Sequence, residues 1–135
     1  MSEHWLLRRC LPWVPSLAYM GLIWVLSSQS QPLHLPDVPL RDKIAHAIEY
    51  GILAVLNLAA LRRSFALPPL RAVATSVLLT SAWGYLDELH QAFVPGRNSD
   101  LLDWGADTLG AIVGASLAAI ALRRRGSERA ERVRG

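Results

Sequence analysis

Asp87, Glu88, His90, Gln91, Arg97, Asp100, Asp103 and Asp107 fall within one stretch, DELHQAFVPGRNSDLLDWGAD, set between two apolar runs. Arg41, Asp42, Lys43, His46, Glu49 and Tyr50 open another apolar run. Carboxylates, imidazole and cations in this mixture can move a proton, hold a cation or bind an anion. Ionisable groups in or near hydrocarbon are costly, so they mark a site or a matched partner. Asp42, His46 and Tyr50 are spaced i, i+4, i+8 and share one helix face, and Asp87 and Gln91 form an i, i+4 pair. Asp100, Asp103 and Asp107 follow i, i+3, i+7, and Gly110 and Gly114 continue nearly the same face. Ala106, Gly110, Gly114 and Ala118 put a small residue at every fourth position, which lets another helix approach closely. The acidic face thus runs into a packing seam and points into a bundle.

Two chemical uses stay open. The helix start after Pro95-Gly96-Arg97, with Lys43 and His46 across a cleft, suits a lipid phosphate or a substrate carboxylate. The aspartates oppose an anion unless a cation or protons intervene. One solution is a divalent cation held by carboxylates and His46, bridging to a phosphate. The other is a salt-bridge network without metal, Arg97 and Lys43 against Asp42, Asp87, Glu88 and Asp103. Asp100 or Ser99 is a good N-cap, but capping does not account for Asp107. Lys43 can equally pair with Asp87 or Glu88, Glu49 needs a partner such as Arg97 or Lys43, and His90 suits an interfacial position. Glu88 and His46 are the choices for a general acid or base. No HExxH, CxxC, GxSxG or phosphate-loop motif occurs.

The elements that must position these groups are helices. The chain has 135 residues, enough for one domain. Its 52% hydrophobic and 19% charged residues make it more apolar than an ordinary soluble domain. Apolar runs cover roughly 11–28, 44–61, 70–93 and 101–122, each near the ~20 residues a helix needs to cross hydrocarbon. Pro12 and Pro15 place the regular start of the first near Pro15. Arg8 and Arg9 fit a signal peptide, but Trp24 and the lack of an Ala-x-Ala site favour a retained helix. Pro32, Pro36 and Pro39 exclude a helix between the first two runs, and Pro95-Gly96 predicts a type II turn. Short links imply an all-α, up-and-down four-helix membrane bundle over 1–122. The basic tail, 123–135, is expected to be disordered. Eleven of the fourteen basic residues precede helix 1, join helices 2 and 3, or follow helix 4. That asymmetry predicts cytoplasmic termini and puts both polar stretches at the extracytoplasmic end. The pI of about 9.6 therefore reflects membrane topology and not nucleic-acid binding. The lone Cys10 excludes an intrachain disulfide.

DKIAHAIEYGILA (Asp42 to Ala54) and DELHQAFVPGRNSDLLDWGADTLGAIVG (Asp87 to Gly114) resemble the VanZ-like family of small bacterial membrane proteins. Ser27-Ser28 also fits. The family pattern falls on Asp42, Lys43, His46 and Tyr50, then on Asp87, Glu88, Gln91, Pro95, Gly96, Arg97 and Asp103. Asp107 stands where the family often has Asn. The resemblance implies a multi-pass protein of the bacterial cytoplasmic membrane, in a family named for low-level resistance to the glycopeptide teicoplanin.

Three functions follow. In the first, the chain binds or modifies a lipid-linked or surface anion of the cell envelope. Arg97, Lys43 and His46 take the anion, while Asp42, Asp87, Glu88, Asp103 and Asp107 position it, hold a cation or exchange a proton. Its partners are membrane lipids and that substrate, not nucleic acid. In the second, the network only locks an envelope scaffold. In the third, the acids form a proton or ion pathway.

Overall fold

Proline and glycine placement divides the chain into its helices. A computed structural model describes residues 3–29, 40–97 and 99–134. Helix α1 (Glu3–Cys10) passes through a 3-10 turn at Leu11–Trp13 into α2 (Val14–Ser27). Pro12 and Pro15 sit in the first turns of the 3-10 segment and of α2, where their fixed φ suits the helix. The first helix therefore begins well before the expected Pro15, with α1 and α2 forming one nearly continuous rod. Helix α3 spans Arg41–Phe65, α4 Pro69–Gln91 and α5 Leu101–Arg134. Pro68-Pro69 opens α4, and Ala66, in the left-handed conformation with φ 48°, closes α3 through its N–H to Arg62 O. The Val94–Arg97 turn has its i to i+3 hydrogen bond and φ 81° at Gly96, as a type II turn requires. The tail expected to be disordered instead continues α5 to Arg134. It is rich in Arg, with Glu128, Ala130 and Glu131 among them, and these residue types favour helix even without packing. The proline-rich link at 30–39 lies outside the described residues.

Cross-helix hydrogen bonds fix the order. At one end, Lys43 at the start of α3 meets Asp100 and Asp103 at the start of α5, and Ser27 at the end of α2 meets Asp87 near the end of α4. At the other, the Ser64 hydroxyl near the end of α3 donates to Arg9 O (2.7 Å). Successive rods thus run antiparallel. Helices α3, α4 and α5 pack on one another, and the N-terminal rod lies against α3 and α4.

The burial pattern is inverted relative to a soluble bundle. Ala54, Ala60, Ala72, Ala111 and Ala115 are fully buried, as are Ser16, Ser76, Thr80 and Asp107. Large apolar side chains face outward on every helix, among them Leu17, Ile48, Leu70, Leu78 and Leu117. Small residues inside and large apolar ones outside is the arrangement hydrocarbon favours. The closest seam is α3 against α5. A Cβ at Gly114 would lie 2.9 Å from Gly51 Cα, so the backbones touch only because both residues lack side chains. Three segments are long and apolar enough to span a membrane: Trp5–Ser27, Arg41–Phe65 and Leu101–Arg134. Helix α4, expected as a span from about Leu70 to Phe93, is not among them. Its inner face carries Ser76, Thr80, Asp87, Glu88 and Gln91, which lowers its apolarity.

Candidate functional site

Lys43 lies in the first turn of α3, so its ammonium reaches the start of α5. Lys43 Nζ donates to Asp103 Oδ1 at 2.6 Å and to Asp100 Oδ2 at 2.9 Å. Asp100 also caps α5, its Oδ1 accepting from Leu102 N–H at 2.9 Å. The Leu102 N–H and then the Lys43 ammonium hold the Asp100 carboxyl below the usual carboxylate range. One turn deeper along both helices, His46 Nδ1 meets Asp107 Oδ1 at 2.9 Å. Asp107 is fully buried, and the second turn of α5 makes that depth possible by following the Asp103 face inward.

Helix α4 supplies the other wall. Glu88 Oε2 accepts the Asp100 N–H at 2.9 Å, tying the end of α4 to the start of α5. Gln91 Nε2 donates to Asp87 Oδ2 (2.9 Å) and, more weakly, to Glu88 Oε1 (3.4 Å). The Ser27 hydroxyl donates to Asp87 Oδ1 at 2.6 Å. Asp87, Glu88 and Gln91 are all buried. Beneath them Gly84 leaves room for Asp107 Oδ2 and the Tyr50 ring, which a Cβ would meet at 2.9 and 3.1 Å. The Tyr50 hydroxyl and Asp107 Oδ2 are buried without a hydrogen-bond partner among the described residues. Two sets of three residues offer ligand atoms within 4.8 Å of one another: Asp42, His46 and Asp103, and His46, Glu88 and Asp107.

The two polar stretches of the sequence thus meet at one end of the molecule, but not all their members meet each other. Lys43, His46, Glu88, Asp100, Asp103 and Asp107 form one cluster. Asp87 and Gln91 border it. Tyr50 lies below it, and Asp42 is exposed at its rim. Arg97 stands apart: its Nε donates to Gln29 O (3.2 Å) and its Nη2 to Leu26 O (3.1 Å). It closes the C-terminal end of α2 and makes no ion pair with a carboxylate among the described residues. The expected pairing of Arg97 with the acids is therefore not formed among the described residues. Lys43 pairs with Asp100 and Asp103 rather than with Asp87 or Glu88. His90 is more than an interfacial group: it stacks on Trp24 (centroids 4.0 Å apart), and its Nε2 shares a hydrogen bond with Ser28 Oγ (2.8 Å).

Sequence reasoning missed Ser27 as the partner of Asp87. It also missed the inward stripe Ala72, Ser76, Thr80, Gly84, Glu88 on α4. A small or polar residue at every fourth position was the available signal. Below the site, Asn57 Nδ2 donates to Thr80 Oγ1 (3.0 Å) and Ser76 Oγ to Ala54 O (2.6 Å).

An inverted helical bundle with three membrane-length apolar segments, and a charged cluster at one end, is the make-up of a helical membrane protein. Residues 9–122 match the VanZ/LLP1 family, and the chain belongs to it. No curated protein and no solved structure gives a match.

Proposed function

We propose that this VanZ/LLP1 protein is a multi-pass protein of the bacterial cytoplasmic membrane that binds an anionic, lipid-linked or surface substrate of the cell envelope. The clustered end faces away from the cytoplasm. Arg8, Arg9, Arg62, Arg63, Arg71 and the basic end of α5 lie at the opposite end, where the positive-inside rule puts the cytoplasm. Helix α4 crosses with the rest, shielding its polar face against α3 and α5. One observation carries the reading. An apolar groove of about 670 Å3 runs along the α3–α5 seam from Ile44, the residue after Lys43, and is lined also by Ala47, Gly51, Val55, Val113 and Leu117. A headgroup at the cluster and an acyl or prenyl tail in that groove match the two chemistries side by side. The family's teicoplanin association fits an envelope substrate of this kind.

Native mass spectrometry of the protein released from bacterial membranes tests this. The wild type retains anionic lipid, and Lys43→Gln loses it while keeping normal membrane abundance. Equal retention by both overturns the assignment. Teicoplanin sensitivity of cells expressing either form shows whether that binding bears on resistance.

A second reading has its own support. The Lys43 ammonium, the Arg97 guanidinium and the Asp87 carboxylate are each already satisfied within the protein. Under that reading the network is purely a lock, and Lys43→Gln lowers abundance without a specific loss of lipid. A proton pathway is less well supported, because below Tyr50 the buried polar groups among the described residues are Ser16, Asn57, Ser64, Ser76 and Thr80, none of which titrates.

A further inference from the structure

We propose that the pocket between α3, α4 and α5 binds one divalent cation of the zinc or manganese kind, with His46, Glu88 and Asp107 as protein ligands. Each ligand comes from a different helix, and one ligand atom from each lies within 4.8 Å of the other two. Around an ion with bonds of about 2.1 Å, adjacent ligands sit about 3 Å apart and opposite ones about 4.2 Å apart. The triangle is thus within a small adjustment of a coordination shell. One imidazole and two carboxylates is a mixed donor set that suits zinc or manganese better than calcium.

Two unsatisfied groups point to a missing partner, apart from the clustering itself. Asp107 Oδ2 is buried and accepts no hydrogen bond among the described residues. The Tyr50 hydroxyl is equally buried and equally unpartnered, and the carboxylates around it are Asp87, Asp107, Glu49 and Glu88. A buried polar atom left without a partner costs about 1–3 kcal/mol, more when charged. Among the described residues, His46 is the only basic group hydrogen-bonded to the inner acids. Lys43 is held at Asp100 and Asp103, and Arg97 at two backbone carbonyls. A dication supplies the missing positive charge, and its open coordination positions give an oxyanion a reason to bind beside so many carboxylates.

The other triad, Asp42, His46 and Asp103, is the poorer site. Asp42 is exposed, and Asp103 already holds the Lys43 ammonium at 2.6 Å, a charge that repels a metal ion. The inner site deepens the anion-binding reading and rests on it for its purpose, but its occupancy is measurable alone.

The test uses the full chain in detergent, stripped with a chelator and then given Zn²⁺ or Mn²⁺ alone, with metal counted by mass spectrometry after desalting. The wild type and Asp42→Asn retain about one ion per chain. Glu88→Gln and Asp107→Asn, checked for folding by size exclusion, fall at least tenfold. Should these variants not fold, pulsed electron spin resonance of Mn²⁺ in the wild type replaces them and is expected to show coupling to one imidazole nitrogen. A wild type without metal, Glu88→Gln binding as well as wild type, loss in Asp42→Asn alone, or no nitrogen coupling overturns the site. Metal bound without anionic lipid leaves this inference standing and removes the substrate reading instead.

Discussion

Replacing Gly110 with alanine would drive a methyl group into the backbone of α3. The new Cβ would sit 2.6 Å from the Ala47 carbonyl carbon and 2.7 Å from its Cα, and closer still to the carbonyl oxygen. Ordinary contact begins at 3.4 Å, so the carbonyl carbon alone requires the two helices to part by about 0.8 Å at this level, and the nearer oxygen requires more. Backbone cannot swing aside as a side chain can. His46 precedes Ala47, and Asp107 lies one turn before Gly110, so the same movement stretches the 2.9 Å His46–Asp107 contact to about 3.7 Å or more, beyond hydrogen-bond reach. Overpacking costs about 1–3 kcal/mol and a weakened buried pair about as much, while alanine recovers about 1 kcal/mol of helix propensity. The net loss is about 3 kcal/mol, or a melting temperature lower by about 10 °C for a chain of this size. Tryptophan fluorescence during heating in detergent measures it. Gly105→Ala on the same helix is the control, since nothing lies within 4 Å of its new Cβ. If Gly110→Ala melts within about 2 °C of Gly105→Ala, the α3–α5 seam is not packed as described.

Ser27→Ala removes the hydroxyl that donates to Asp87 Oδ1 and should destabilise by about 1–3 kcal/mol, with Ser28→Ala on the exposed side costing less; equal melting points would refute the buried contact. Arg97→Lys keeps the charge but cannot span both Leu26 O and Gln29 O, so it should lower stability by about 1 kcal/mol and leave metal retention unchanged. Asp100 has its folded-state pKa depressed, so its contribution is present above the ordinary aspartate value of about 4 and fades as pH falls through the lower folded value. Lys43→Gln should therefore shift the acid limb of a melting-versus-pH curve to higher pH, and an unmoved limb would refute the pairing.

The helices and their breaks were legible in the sequence because apolar length, prolines and the Pro95-Gly96 turn act locally. So was the shared end of the two polar stretches, since an even number of helices with short links returns the chain to the same side. The periodicity of Asp103, Asp107, Gly110 and Gly114 correctly placed an acidic face in a glycine seam, because helical spacing alone decides which residues share a face. The helical tail to Arg134 was misjudged, because charge composition was read as disorder where local helix propensity prevails.

Partner choice belonged to the tertiary structure. Lys43 could reach several acids by sequence alone; the register of α3 against α5, set by glycine backbones in contact, gave it Asp100 and Asp103. Arg97 was free to join the acids until the turn geometry aimed it at the carbonyls ending α2. Likewise, only the packing of α4 beneath the cluster left Tyr50 and Asp107 Oδ2 buried without partners among the described residues, because which polar atom goes unmatched depends on distances between helices that no single helix's spacing contains.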